Sequence, residues 1–223
     1  MPLNSVDPTT NLPIRSYPED SAAEITRKLD TAATAFIDWR ALSCSRRAEH
    51  IRNLGRVLLE RRQELAVLMA QEMGKPLAQG RAEVEKCAWA CQHFAAHAAG
   101  YLADEPVDAG DARALLCCQP LGVILAVMPW NFPLWQVIRC AVPALMAGNT
   151  VVLKHASNVT GCALALDFTA QAAALPPGIF QTLLVASAQI ASVLDHPALR
   201  GVSLTGSRSE ERRVGKECRS RWS

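Results

Sequence analysis

Several things are missing from this chain of 223 residues, and each absence removes a class of function. No apolar run reaches the length of a membrane span: Leu121 to Met128 is eight residues long and Pro129 closes it. The opening Met1-Pro2-Leu3-Asn4-Ser5-Val6-Asp7 has neither a basic n-region nor an apolar h-region, so no secretory signal is expected. The eight cysteines form no C-x-x-C pair, and Cys87 and Cys91 stand four apart without a second pair. Zinc is therefore not expected, and the thiols read as free, buried groups of a protein in a reducing cytoplasm. The body lacks an excess of charge. Residues 208–223 hold six basic and three acidic residues against 23 and 21 in the whole chain, which leaves residues 1–207 one charge negative. A nucleic-acid surface is not implied.

What is present is a chain that is 50% hydrophobic, enough for one sizeable α/β domain or one and a half. Residues 1–20 read as an extended lead rich in Pro, Asn, Ser and Thr. A helical block is expected over 21–104. Ser21 with Glu24 makes a capping box, and Ile25, Leu29, Ala32, Phe36 and Trp39 share a face. A second helix opens at Ser43 or Ser45 and carries the stripe Ile51, Leu54, Leu58, Leu65 and Leu68 until Gly74 and Pro76, with Arg46, Arg47, Arg56, Arg61 and Arg62 read as a solvated face. A third helix runs from about Leu77 to Ala99. His93 and His97 lie four apart on it, but with no third ligand in view they read as core or surface histidines.

The period then changes. Ala114 to Cys118 reads as a strand and Val123 to Met128 as a strand buried on both faces. After them come a helix from Leu134 to Met146, a strand from Thr150 to Leu153, a helix from Thr160 to Ala174, a strand from Phe180 to Val185, a helix from Ser187 to Leu194 and a strand from Gly201 to Thr205. That alternation over 121–207 predicts an α/β fold with a Rossmann-like, doubly wound parallel sheet, preceded by the helical block.

Two places in this half carry chemistry. Met128-Pro129-Trp130-Asn131-Phe132-Pro133 leaves a buried strand and holds one amide, Asn131, between two prolines and two aromatics. A rigid amide beside a strand end is a good donor to a developing negative charge. Lys154 ends the next strand, where open α/β sheets bind nucleotides. Each alone also fits a plain reading, a buried turn and a surface lysine.

With the order of these segments and their wording, the chain resembles the aldehyde dehydrogenase superfamily. The segments that carry the resemblance are Met128 to Pro133, Val142-Pro143-Ala144-Leu145-Met146-Ala147-Gly148-Asn149-Thr150-Val151-Val152-Leu153-Lys154, Leu175-Pro176-Pro177-Gly178 and Ser203-Leu204-Thr205-Gly206-Ser207. Finer wording, in Glu72-Met73-Gly74-Lys75-Pro76, Gln79 to Val84, Trp135-Gln136-Val137 and Lys154-His155-Ala156, is similar to bacterial NAD(P)-dependent succinate-semialdehyde dehydrogenases. The resemblance implies oxidation of an aldehyde, succinate semialdehyde, to the carboxylic acid with NADP or NAD. It makes Asn131 the donor to the alkoxide that forms when a cysteine thiolate attacks the aldehyde. It assigns Met128, Pro129, Trp130, Lys154, Ser157, Gly206 and Ser207 to the dinucleotide, Lys154 at the adenosine ribose and Gly206-Ser207 at the pyrophosphate. It implies a homo-oligomer at full length.

Two departures bear on the cofactor. Where NAD-preferring members carry a glutamate three residues after the lysine, this chain has Ser157, which does not repel a 2′-phosphate, so use of NADP is expected. Leu183 to Ser187 lacks the glycine that many members have near the adenine.

By this reading the resemblance ends after Ser207. Residues 208–223 form a basic tail, expected to be disordered, and similar to the read-through ends of broken reading frames. The family's nucleophilic cysteine and general-base glutamate find no match, so the chain reads as an N-terminal fragment, inactive by itself. The alternatives are a dinucleotide-binding pseudoenzyme without turnover, or a partly folded product with exposed strand edges.

Overall fold

Ser21 opens the first long helix in the way its spacing to Glu24 requires. In the computed structural model, which describes residues 2–110 and 112–206, the Glu24 N–H donates to Ser21 Oγ while the Ser21 N–H donates to Glu24 Oε2. The helix that follows, α1 (Ala22–Ala41), buries Ile25, Leu29, Ala32 and Trp39 and leaves Phe36 half-buried under the Arg40 guanidinium. Ahead of it the extended lead is paired: β1 (Leu3–Val6) and β2 (Pro13–Tyr17) form an antiparallel hairpin.

The apolar stripe expected on one helix from Ser43 to Met73 is shared by two, α2 (Cys44–Glu60) and α3 (Arg62–Met73). The break falls at Arg61, where neither glycine nor proline marks it. The Arg61 side chain turns instead to a third helix, α6 (Thr160–Ala172), donating to the Ala165 carbonyl at 3.0 Å and covering the Phe168 ring. Gly74, in the left-handed region at φ 71°, ends α3, and Pro76 caps α4 (Leu77–Tyr101).

The arginine face needs the same correction at Arg47. Arg46, Arg56 and Arg62 form exposed ion pairs with Glu49, Glu60 and Glu85, as a solvated face should. Arg47 is buried and donates to the carbonyls of Leu42 and Met146 at 2.5 and 3.0 Å. The carbonyl end of a helix attracts a cation, and that attraction overrides the exposure that charge alone suggests.

An antiparallel hairpin, β3 (Glu105–Ala109) with β4 (Ala112–Leu116), follows the helical block. Only its second strand is foreseen in the sequence, because β3 contains Glu, Pro and Asp and has no apolar alternation. Cys117 and Cys118 lie beyond β4 and are exposed, not buried in a strand.

The remaining chain builds the parallel sheet: β5 (Val123–Met128), α5 (Trp135–Met146), β6 (Thr150–His155), α6, β7 (Phe180–Thr182), α7 (Ile190–Leu194) and β8 (Leu199–Leu204). The strand order is β7-β6-β5-β8, all parallel. β7 is shorter than its apolar run, although the Leu183 N–H still donates to the Leu153 carbonyl. Alternate side chains serve two cores. Val123, Leu125, Val127 and Val152 pack with Ile25 and Leu29 of α1 and with Val193 of α7. Ala126, Met128, Val151 and Leu153 pack on the opposite face with α5 and α6, behind which lie α2, α3 and α4.

Polar contacts fasten the helical block to the sheet half at the ends of α5 and α6. Glu83 of α4 accepts the N–H groups of Leu134 and Trp135 at the start of α5. Glu72 of α3 accepts those of Gly161 and Cys162 at the start of α6, both at 2.8 Å. At the far ends, Trp39 Nε1 donates to Leu145, and Asn53 Nδ2 to Ala173. Carboxylates therefore meet helix N-termini, and N–H donors meet the C-terminal carbonyls, as the orphan groups of each helix end require.

Candidate functional site

The strand order places a crevice. From β5 the chain crosses by α5 to β6 and by α6 to β7, moving one way; α7 then brings it back to β8 on the other side of β5. The strand order reverses between β5 and β8, with α5, which follows β5, and α7, which precedes β8, on opposite faces of the sheet; at such a switch point ligands bind outside the carboxyl ends of the strands.

Most residues that the sequence marks meet at this end. In the register Met128 stands beside His155, and Val127 stands between Lys154 and Leu204. Met128 and Lys154 are buried, Pro129 is partly covered, and Trp130 is half exposed. Asn131 is exposed, and its Oδ1 accepts the Phe132 N–H at 3.1 Å, which turns the NH2 end of the amide away from the backbone. Ser157 is exposed at the start of a short 3-10 turn after β6, where its carbonyl accepts the Thr160 hydroxyl. Gly206 is exposed one residue past Thr205, whose N–H donates to Val127 and whose hydroxyl accepts from Arg139 of α5. Ser207 and the tail 208–223 lie outside the described residues.

Alternation along β6 gives its last two residues different duties. Lys154 shares the sheet face of Val127, toward α1 and α7, and His155 takes the face of α5. His155 Nδ1 accepts the Ala156 N–H at 2.9 Å, so Nε2 carries the proton that goes to the Pro133 carbonyl at 2.8 Å. Burial pushes the His155 pKa down to about 4, so the ring is neutral and holds that tautomer.

Three further residues have no role assigned from sequence. Lys75 Nζ pairs with Glu83 Oε2, donates to the Asn131 carbonyl at 3.1 Å and lies 4.0 Å from the centre of the Phe132 ring. Glu83 Oε1 accepts the Leu134 and Trp135 N–H groups, both at 2.9 Å. Glu72 performs the matching duty for α6. Lys75 and Glu72 are visible in the sequence within Glu72-Met73-Gly74-Lys75-Pro76, and Glu83 lies two turns further on. A charged residue at a helix break and another among small residues were the available signals.

The thiols are set against reactivity. Burial pushes the Cys87 and Cys162 pKa values well up and that of Cys91 to about 12; burial also raises Cys140, and the Asp104 side chain raises exposed Cys117. Among the described residues no group of three or more His, Cys, Asp or Glu is placed to hold a metal, and no helix is long and apolar enough to cross a membrane. Cavities of about 930 and 540 Å3 lie against α1, and one of about 330 Å3 lies between Arg47 and Cys118; Asn131, Lys154 and Gly206 line none of these. The crevice takes precedence over them because its position follows from strand order and its residues have the chemistry to hold an anion-bearing ligand.

Comparison with known proteins agrees with this fold. A model described as the aldehyde dehydrogenase family matches residues 1–222, running past Ser207 where the sequence reading ends the resemblance. The chain is 44% identical over 207 residues to a Synechocystis sp. protein named probable succinate-semialdehyde dehydrogenase (NADP(+)), covering 93% of this chain and 46% of that one. It is 42% identical over 218 residues to succinate-semialdehyde dehydrogenase (NADP(+)) 1 of Mycobacterium tuberculosis, covering 96% and 48%. The crystal structure of succinic semialdehyde dehydrogenase from Streptococcus pyogenes in complex with NADP+ superposes with a TM-score of 0.95 at 27% identity, covering 98% of this chain and 48% of that one. The chain spans about half the length of the curated relatives it matches.

Proposed function

The chain belongs to the aldehyde dehydrogenase family, and from that membership we propose that residues 1–207 are the dinucleotide-holding half of an enzyme that oxidises succinate semialdehyde to the acid, with NADP as acceptor and NAD as the alternative. The observation that carries this reading is the convergence of Asn131, Lys154 and Gly206 on one switch-point crevice. A dinucleotide bound there supplies the hydride acceptor.

The chain's own groups fit that ligand. Lys154, on the face of α1 and α7, donates to the adenosine ribose. Ser157 leaves space and neutral charge where a carboxylate would repel a 2′-phosphate. Gly206, without a side chain, lets the pyrophosphate approach the backbone, and the resemblance assigns Ser207 to the same group. Met128, Pro129 and Trp130 line the way to the reacting carbon. Asn131 presents its NH2 end to the oxygen that gains charge when the aldehyde is attacked. The relatives named for NADP(+) and the NADP+-bound neighbour support the choice of acceptor. A cytoplasmic location and self-association of the full-length enzyme belong to the same proposal.

A second reading concerns the chain by itself: it binds the dinucleotide without turnover. The raised pKa values of Cys87, Cys91, Cys117, Cys140 and Cys162 favour it, because each of those thiols is held protonated. The experiment is calorimetric titration of the purified chain with NADP and NAD, beside an assay for NADPH formation on succinate semialdehyde. Saturable NADP binding without NADPH formation supports both readings. Lack of NADP binding by a cooperatively melting chain overturns the first, and aldehyde-dependent NADPH overturns the second.

A further inference from the structure

We propose that Lys75 and Glu83 are positioning residues for Asn131: their ion pair sets the place and orientation of the 130–135 turn from which the amide projects. The inference rests on the reading of Asn131 as the donor.

Both charges are buried, with side chains 5% and 2% exposed. A buried ion pair is weak evidence for stability, since apolar residues of similar size often hold helices together as well. What apolar residues cannot do is satisfy the turn. Glu83 Oε1 takes two backbone N–H groups, those of Leu134 and Trp135, and Oε2 takes Lys75. Lys75 in turn meets Glu83, the Asn131 carbonyl and the face of the Phe132 ring, one contact for each N–H of the ammonium. The pair thus grips the turn at residues 131, 132, 134 and 135. Fixing the Asn131 carbonyl fixes its Cα, and the Phe132 N–H on Oδ1 then sets the side chain.

The grip is rigid at its own root. Lys75 lies between Gly74, which ends α3 in the left-handed region, and Pro76, which caps α4, and Glu83 sits two turns into α4. The helical block therefore acts on the site through one lysine and one carboxylate. Glu72 is the internal control: it caps α6 with a buried carboxylate in the same way but touches neither Asn131 nor Phe132 in any contact described.

The test uses the full chain labelled with 15N, with the Asn131 side-chain NH2 signals assigned by their loss in Asn131→Asp. In the double variant Lys75→Met with Glu83→Leu, the melting temperature falls by several degrees, because the Leu134 and Trp135 N–H groups lose their acceptor. The Asn131 NH2 and Phe132 amide signals shift or split, and the Leu134 and Trp135 amides exchange about tenfold faster or more. Glu72→Gln speeds exchange at Gly161 and Cys162 and leaves Asn131 in place. Lys75→Arg, which keeps a donor to both Glu83 and the Asn131 carbonyl, retains slow exchange at Leu134 and Trp135. Unmoved Asn131 and Phe132 signals in the double variant overturn the proposal, as does an equal movement caused by Glu72→Gln. If the double variant does not fold, Glu83→Gln decides by the same signals. None of these readings needs the dinucleotide, so failure of NADP to bind counts against the proposed function and not against the positioning.

Discussion

His155, the last residue of β6, donates through Nε2 to the Pro133 carbonyl at 2.8 Å, tying the end of one strand to the loop that leaves its neighbour. The ring can do this only while neutral with Nδ1 free to accept the Ala156 N–H. Its pKa, lowered by burial from 6.5 to about 4, makes the bond sensitive to acid.

The direction of that sensitivity follows from linkage. A group that is harder to protonate in the folded chain than in the unfolded one contributes its full stability above the unfolded value and loses it as pH falls toward the folded value. The chain is expected to lose stability between pH 6.5 and about 4, by on the order of 3 kcal/mol at the limit from this group. Chemical denaturation at pH 7 and pH 5 checks it. His155→Gln lowers stability at pH 7 and flattens the slope between the two pH values; an unchanged slope removes His155 as its source.

Lys154→Ala is expected to weaken NADP binding about 10- to 100-fold, the worth of one charged hydrogen bond. Ser157→Glu places a carboxylate where the proposed function puts a 2′-phosphate, and is expected to lower NADP affinity while sparing NAD. Calorimetric titration of both dinucleotides reads these effects, and equal losses for NAD and NADP in Ser157→Glu count against the assignment of Ser157.

In any active enzyme that carries residues 1–206 as its cofactor half, Asn131→Ala lowers kcat about a hundred- to a thousandfold, the usual cost of one oxyanion donor. Dinucleotide affinity measured alongside stays near its original value if the amide acts, as proposed, on the aldehyde oxygen.

Gly161→Ala is expected to destabilise the chain by about 1–3 kcal/mol. A Cβ at this position would lie 2.6 Å from Glu72 Oε1, the atom that accepts the Gly161 N–H, so the cap on α6 must move. Equilibrium denaturation gives the loss directly. Pairing Gly161→Ala with Glu72→Ala should cost less than the two losses added, since both act on one contact.

Arg47→Met removes the donor to the Met146 and Leu42 carbonyls and is expected to cost about 2–3 kcal/mol. Arg56→Met, on the exposed side of the same helix, should change stability by less than about 1 kcal/mol, as surface ion pairs do. The contrast separates the buried arginine from the solvated face on which sequence patterning had placed it.

Where local rules operate, the sequence was legible. The capping box at Ser21, the stop at Gly74 and Pro76, and the continuous apolar strands β5 and β6 all follow from neighbours within a few residues. The break at Arg61 and the strand β3 were not legible. At the first, the Arg61 side chain meets a partner on α6 about a hundred residues on, and the second pairs through its backbone with little help from its side chains. The same division runs through the site. Asn131 and Lys154 announce themselves by wording and position, whereas the sequence assigned no task to Lys75, Glu83 or His155.

The sequence by itself determined the element types of the sheet half, the family and the two candidate groups Asn131 and Lys154, because periodicity and short motifs are local properties of a chain. Only the tertiary structure decided which charges are buried and what they hold. Lys75 meets the Asn131 carbonyl, Glu72 meets Gly161, and Arg47 meets Met146 across 56, 89 and 99 residues of chain. A charge can leave water when folding brings it a satisfying partner, and no local pattern records where along the chain that partner lies.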